Sequence, residues 1–403
     1  MSIKRFQCVI LVFVLFSGTP GIADELKETL ANGKASVDLR YRFELVNQEG
    51  IENDAKASTL RLRLGYTTKK FNGFNIHVDL ETIKPIGIDD YNSTDNDKLN
   101  YPVVADPEDS ELNQAFLTYS GIKETVFTFG RQRIKLDNDR FIGNVGWRQN
   151  EQTYDAFMCV NTSIPNSTIT FAHILNVNRI FGEHHSSLSD LDISANIIHL
   201  NYVFSSAQLS AYGHFIENQD VPVNSHYNLG LRLSGTDRIS GSAKLLYTLE
   251  YAIQNDYKEG ADFIDVSYRF LELGGKWDKF TIKAGYEELG SNALYSFSTP
   301  FATLHAFNGW ADKFLSTPVE GLVDKYIFLS YQTKLGEMKV ALKAYYHDFQ
   351  SSNNRIDYGT ELDLQAQLIL SKECNLIVKY ASYKAQEYAT DTMKFWAGIQ
   401  YSF

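Results

Sequence analysis

Polar and apolar residues alternate along most of the chain with the period of two that marks strands. The stretch Thr59-Leu60-Arg61-Leu62-Arg63-Leu64-Gly65-Tyr66 shows it most plainly, with leucines on one phase and arginines on the other. The same rhythm returns in residues 227–233, 242–251, 338–346 and 358–370, each with an aliphatic or aromatic face and a charged or small one. Roughly eighteen such segments follow from the pattern, beginning near residues 35, 58, 73, 111, 124, 152, 166, 193, 207, 224, 241, 262, 279, 325, 338, 358, 374 and 392. Most run about ten to thirteen residues, the length of a tilted strand that crosses a bilayer.

The connections alternate too. Short turns at 71–72, 121–123, 163–165, 205–206, 235–240, 274–278, 335–337 and 371–373 separate mostly longer polar connections, notably 84–110, 134–151, 175–192 and 290–324. Such alternation puts all turns on one side of a sheet and all loops on the other, the layout of an outer-membrane barrel with periplasmic turns and external loops. A soluble sandwich would also alternate polar and apolar residues. Strand number, loop asymmetry and the C-terminus favour the barrel. The last segment, Phe395-Trp396-Ala397-Gly398-Ile399-Gln400-Tyr401-Ser402-Phe403, alternates and closes on Phe. It resembles the assembly signature of bacterial outer-membrane barrels, which their insertion machinery reads. The predicted fold is therefore all-β, a transmembrane antiparallel up-and-down barrel of about 18 strands. The predicted location is the outer membrane of a Gram-negative bacterium.

Residues 1–23 read differently. Lys4 and Arg5 precede an apolar run from Val9 to Phe16, and Gly21 and Ala23 supply the small residues of a cleavage site. This is the pattern of a secretory signal peptide, which leaves residues 24–403 as the barrel. The run is too short to span a bilayer as an anchor. Removing it carries off two cations and no acid, so the formal charge of −11 becomes −13. A chain this acidic lacks the basic surface of a nucleic-acid binder. Cys8 leaves with the signal, and Cys159 and Cys374 lie far apart without metal-ligand spacing, so neither cofactor nor metal is expected. The 24 Tyr and 26 Phe, a heavy aromatic load for a chain with 22% charged residues, suit a lipid face and interfacial girdles.

In lipid every backbone polar group needs a partner, so a spanning sheet must close. Closure assigns the two phases. The apolar phase, with Leu60, Leu62, Leu64, Leu229, Leu231, Leu245, Leu342, Leu364, Val378, Ile399 and Tyr401, faces lipid. The charged phase lines the interior, with Arg40, Arg42, Arg61, Arg63, Arg232, Arg269, Lys343, Lys379 and Lys394 among Asp38, Glu44, Asp79, Glu81, Asp155, Glu250, Asp265, Glu361 and Asp363. A Lys or Arg facing lipid near the midplane costs about 2–4 kcal/mol, so this many belong inside. Much of the acidic excess falls instead in residues 84–110, with Asp89, Asp90, Asp95, Asp97, Asp106, Glu108 and Asp109, and so outside the pore. A barrel this wide holds an aqueous channel unless loops fold into it, which makes transport the expected function. For any single interior pair the plainer reading is an ion pair that stiffens the wall. An arginine cluster without matching acids says more.

Such a cluster lies in Phe129-Gly130-Arg131-Gln132-Arg133-Ile134-Lys135-Leu136-Asp137-Asn138-Asp139-Arg140-Phe141-Ile142-Gly143-Asn144-Val145-Gly146-Trp147-Arg148-Gln149-Asn150-Glu151-Gln152-Thr153-Tyr154-Asp155-Ala156, from the fifth strand through the third external loop into the sixth. The stretch resembles the signature of the alginate export family of outer-membrane proteins, G-R-Q-x-I-x-L-D-N-x-R-F-I-G-x-V-G-W-R-Q-N-x-Q-T-x-D-A. The resemblance implies an eighteen-stranded barrel and a passive channel for an anionic polysaccharide, with arginines at a constriction meeting uronate carboxylates. Guanidinium suits that task, being a rigid fork of donors whose charge persists at any relevant pH. By motif position Arg131, Arg140 and Arg148 are the constriction candidates, with Asp155 as orienting partner. Arg61 and Arg63 join them from the wall argument. Phe127 and Phe129 share a phase with Arg131 and Arg133, so the phase of residues 127–133 is ambiguous, and a bulge or the strand end would resolve it. The same stretch also reads as a loop that folds inward and bonds to the wall. Gly143, Gly146, Asn138 and Trp147 are then turn and packing residues, and Asp137 and Arg148 an internal latch. Residues 290–324, rich in aromatics, are a second candidate to fold into or over the mouth.

The expected partners are an anionic polysaccharide or small anionic solute, outer-membrane lipid, the insertion machinery through Phe403, and periplasmic secretion components. A nutrient-uptake porin for small sugars or carboxylates is the alternative on the same barrel. A barrel enzyme or plugged adhesin ranks lower, because His184, His185 and His305 fall in loops with no Ser or paired-Asp context, where a histidine is ordinarily solvated.

Overall fold

The computed structural model describes residues 20–403, with side chains from Asp24 onward, so the expected signal peptide lies almost wholly outside the described residues. A helix, α1 (Pro20–Ala31), leads into eighteen strands. The first six are β1 (Lys34–Gln48), β2 (Ala55–Thr67), β3 (Phe74–Asp90), β4 (Asp109–Ile122), β5 (Thr125–Gln132) and β6 (Thr153–Asn161). Next come β7 (Ser167–Asn178), β8 (Asp190–Phe204), β9 (Ala207–Asn218), β10 (His226–Ser240), β11 (Ala243–Asp256) and β12 (Asp265–Trp277). The last are β13 (Phe280–Leu289), β14 (Leu322–Leu335), β15 (Met338–Gln350), β16 (Asp357–Ile369), β17 (Cys374–Ala385) and β18 (Thr392–Ser402). Every predicted strand begins within three residues of an observed one. Two turns are tighter than predicted, because 235–240 and 274–277 continue β10 and β12. Gly235 is a strand residue for a packing reason: it pairs with Tyr247, and a Cβ there would sit 2.4 Å from the Tyr247 ring.

Each strand pairs antiparallel with its sequence neighbours, and β18 pairs with β1 from Asp38↔Ser402 to Gln48↔Thr392, which closes the barrel. Phe403 completes the seam, its N–H donating to the Val37 carbonyl at 2.9 Å and its carbonyl accepting from Val37 at 2.8 Å. Leu64, Leu231, Leu342, Leu364 and Ile399 are all exposed on the outer face, as the lipid phase requires. No helix among the described residues is long and apolar enough to cross a membrane; the strands do so.

The interior departs from a simple water-filled tube. Residues 133–152 (loop L3) and 290–321 (loop L7) fold into it and pack Phe141, Ile142, Phe297, Phe301 and Phe314 against Tyr154, Ile174, Ile193, Ile197 and Tyr268 of the wall. A large apolar cluster thus sits inside the barrel, and it reverses part of the phase assignment. In β12 the buried phase carries Tyr268, so Arg269 shares the outer phase with Leu271 and Leu273 and pairs there with Glu288 at 3.1 Å; Asp265 is on that phase too. Asp106 and Asp109, read as external acids, are both buried. Residues 91–108 (loop L2) bring Asp106 onto Arg42, and Asp109 accepts from the Glu183 N–H at 2.7 Å.

Candidate functional site

L3 crosses the lumen and is fastened at opposite walls. At one end Asp137 meets His199 of β8 at 2.8 Å and accepts from the Ser210 hydroxyl of β9 at 2.7 Å. In the middle Arg140 donates to Glu287 of β13 at 2.6 Å, to Thr299 at 3.3 Å and to Asn308 at 3.1 Å, the last two in L7. At the far end Arg148 donates to Glu44 of β1 at 3.1 Å and to Asp312 of L7 at 3.0 Å. The internal latch expected between Asp137 and Arg148 is therefore not formed; each ties L3 to a different side of the barrel.

L3 and L7 also bond directly. Ile142 and Phe301 form a short parallel bridge, Gly143 N–H donates to the Phe301 carbonyl at 2.8 Å, and Thr303 N–H donates to the Asp139 carbonyl at 2.9 Å. L7 in turn lies on two wall carboxylates of β16: Trp310 N–H donates to Asp363 at 3.1 Å and Ala311 N–H to Glu361 at 2.6 Å. Gly309, with φ +83°, makes that approach possible, since a Cβ there would lie 2.4 Å from a Glu361 oxygen.

The wall arginines complete the clamp. Arg61 donates to the Gln149 carbonyl at 3.0 Å and pairs with Asp38, while Arg63 pairs with Glu81 and lies 3.2 Å from Glu151. Arg40 donates to the carbonyls of Gly146 and Arg148 at 3.0 Å each. Burial by itself would raise the Glu151 carboxyl, but the facing charges of Arg63 and Arg133 outweigh it and hold it down at about 2. Burial, aided by the Lys379 charge, pushes His305 of L7 down to about 3, so the ring is neutral at pH 7. Its Nδ1–H then donates to Asp312 at 2.7 Å and its Nε2 accepts from Lys379 at 2.7 Å. His305, read as a solvated loop residue, is buried because L7 is inside the barrel. Its ring stacks on Trp147 with centroids 4.7 Å apart.

Two predicted constriction residues are elsewhere. Arg131 and Asp155 pair at 3.0 Å, but on the outer side of the wall. The register is continuous from Phe129↔Phe157 to Gln132↔Tyr154, and Tyr154, Ala156 and Gln132 are buried on the inner side, so their alternates point out. L4 (residues 179–189) roofs the pair through Glu183, 2.8 Å from Arg131. The strand end does resolve the phase, one residue beyond β5. Arg133 lies past the strand end and reaches Glu151 in the lumen with its Nε at 2.6 Å. Arg133 stands at a variable position of the family signature and was not among the constriction candidates; the strand end is the signal that singles it out.

The two loops divide the lumen. Toward the outside lies a cavity of about 370 Å³ bordered by Arg140, Thr299, Phe301 and Leu304. Toward the periplasm lie two more. One, of about 660 Å³, is lined by Arg40, Arg61, Arg63, Arg133 and Lys135 against Asp38, Asp79 and Glu151. The other, of about 450 Å³, is lined by Arg40, Arg42, Lys343 and Lys379, with no carboxylate. Thr303, His305 and Ala306 border this inner cavity while Phe301 and Leu304 border the outer one, so one short piece of L7 is the partition.

Comparison with known proteins agrees with this geometry. The pattern of the family described as alginate export matches residues 34–171, from β1 into β7. No curated protein matches in sequence. Among solved structures, OccAB4 of Acinetobacter baumannii is similar with a TM-score of 0.70 at 13% identity, over 92% of this chain and 98% of that one. OccK9 (OpdG) of Pseudomonas aeruginosa reaches a TM-score of 0.70 at 12% identity, over 93% and 99%. OpdK of the same organism, solved with vanillate, reaches 0.67 at 12% identity, over 93% and 99%. At such identities the likeness is one of fold. Residues 34–171 match the alginate export family pattern, and the eighteen strands between Lys34 and Ser402 form an integral β-barrel of the outer membrane of a Gram-negative bacterium.

Proposed function

We propose that the protein is a passive channel for anionic saccharides, guided by the cation-lined periplasmic half of its lumen. One observation carries this reading. The two inner cavities are bordered by eight different Lys and Arg residues but only three Asp and Glu residues, in a chain whose formal charge is −11. Low-dielectric walls focus that local excess of positive charge onto a solute, whatever the overall sign. Several modest sites in a row also suit conduction, because each holds a carboxylate long enough to admit it and weakly enough to pass it on. Arg61 and Arg63 border the larger inner cavity and act on the solute through their charge, while their donors hold Gln149 of L3 and the carboxylates of Asp38, Glu81 and Glu151. Arg140 and Arg148 are positioning residues, spending their donors on Glu287, Glu44 and Asp312 to set where L3 lies. The alginate export pattern in residues 34–171 supports a uronate polymer as cargo, handed over by secretion components on the periplasmic side.

Uptake of small carboxylates is the second reading. The L3–L7 partition favours it, since a small solute needs less displacement of the loops than a polymer does, and OpdK, solved with vanillate, shares the fold. Planar-bilayer recording separates the two. Oligouronates added to the channel should interrupt its current, less so as salt rises, while neutral oligosaccharides of equal length should not. Interruption by vanillate-sized carboxylates alone would favour uptake, and indifference to every anion would sink both.

A further inference from the structure

The smaller inner cavity has a floor unlike the rest of the lumen. On the inward phase, Lys343 of β15 pairs in register with Gln365 of β16, and Gln365 with Lys379 of β17. One row nearer the periplasm Gln367 of β16 pairs with Ile377, and one row further Asn375 of β17 pairs with Gln400 of β18. Gln365, Gln367 and Asn375 have no side-chain hydrogen bond, and Lys343 neither hydrogen bond nor ion pair, among the described residues; all four border the cavity. This contrasts with the clamp, where guanidinium and carboxylate groups are consumed by L3. Lys379 is also occupied: its Nζ bonds to His305 and sits 3.7 Å and 4.1 Å from the Trp310 and Trp147 ring centroids. It contributes charge behind the floor without offering donors to a ligand. Arg40 closes the far side of the cavity, its guanidinium bonded to L3 carbonyls and paired with no carboxylate among the described residues.

We propose that this cavity is a seat for one acidic sugar unit, entered from the periplasm. Its carboxylate lies at Lys343 within the field of Arg40 and Lys379, and its hydroxyls lie on the side-chain amides of Gln365, Gln367 and Asn375. The chemistry fits a hydroxylated monoanion better than a bare carboxylate or a neutral sugar. Amides both donate and accept, as vicinal hydroxyls require, and one open ammonium matches one negative charge. A volume of about 450 Å³ is of the order needed for a single ring with its water. The proposal rests on the channel reading above, and it adds a place and a stoichiometry of contact that the reading lacks.

The test uses the full-length protein in planar bilayers, with a tri-uronate and a neutral trisaccharide added to the periplasmic side. Wild type should show tri-uronate interruptions. Lys343→Gln should weaken them roughly ten-fold, the worth of one charge-assisted hydrogen bond, and leave the response to the neutral sugar unchanged. Gln367→Ala should weaken them several-fold as well, and heat-modifiable migration in gels confirms that each variant is a closed barrel. If both variants are interrupted as wild type is, while anion preference persists, the seat is wrong and the channel reading stands. If wild type itself shows neither anion preference nor interruption, the channel reading fails and the seat with it.

Discussion

The wall of β6–β9 and the wall of β1–β3 are built from the same alternating strands, yet they meet the lumen in opposite ways. Along β6–β9 the inward phase is Tyr154, Ala156, Ile174, Ile193, Ile197 and Tyr212, sealed against Phe141 and Ile142 of L3. Along β1–β3 it is Asp38, Arg40, Arg42, Arg61, Arg63, Asp79 and Glu81, bonded to L2, L3, β4 or each other, with a cavity beneath. One side holds the loop chiefly by burial, with the polar tie of Asp137 to His199 and Ser210, and the other by charge. The contrast teaches that strand alternation fixes which residues share a face, but not which face is inside, once loops supply an apolar filling. Arg131 and Asp155 sit on the outer phase because the apolar filling claims their neighbours.

The comparison is most directly broken at Arg148. Arg148→Ala leaves Glu44 buried without its partner and takes one of three cationic or N–H partners from Asp312, which keeps Lys394 and His305; removing one member of a buried pair costs about 3–5 kcal/mol. Hydrogen exchange of the L3 amides should accelerate by about two decades or more, while the barrel strands stay protected. On the apolar side, Phe301→Ala should loosen the same loops by about 3 kcal/mol, the lower end for Phe truncation, because the neighbouring outer cavity lets the site relax. Equal and local loosening by both variants would show that the two walls share the load. A loss confined to one would show which wall dominates.

Acid should act on the two fastenings in sequence. His305 is held neutral, with its pKa depressed from about 6.5 to about 3. The stabilisation it gives the seated L7 is therefore complete above about pH 6.5 and declines as pH falls toward 3. Glu151, depressed to about 2, keeps its contribution above about pH 4.3 and loses it only as pH falls through 2. Current noise from loop movement should thus rise between pH 6.5 and 5, and His305→Gln should flatten that rise. A wild-type profile flat to pH 4.5 would contradict the assignment. The smallest effect is expected outside: Arg131→Gln removes a partly exposed pair worth under about 1 kcal/mol and should leave ion selectivity unchanged.

The barrel was legible because its cause is local. Period-two alternation, turn length and a terminal Phe all follow from short-range constraints, and they placed every strand start within three residues. The interior was legible only in part. Arg61 and Arg63 alternate with leucines and could face only inward, and both do. The inward course of L7, the burial of Asp106 and the separate anchoring of Asp137 and Arg148 depend on contacts more than a hundred residues apart or across the lumen, which no local pattern encodes. Lys343, Gln365 and Gln367 carried a weak signal, being polar on the lumen phase, but nothing nearby in sequence marks them as unpartnered.

On this reading local cations, not the overall charge, govern what enters the lumen. The most direct test is the sign of the reversal potential of the wild-type channel in a planar bilayer under a potassium chloride gradient at pH 7. The account predicts preference for chloride, reduced when Arg61 and Arg63 are both replaced by Gln. A preference for potassium would contradict it.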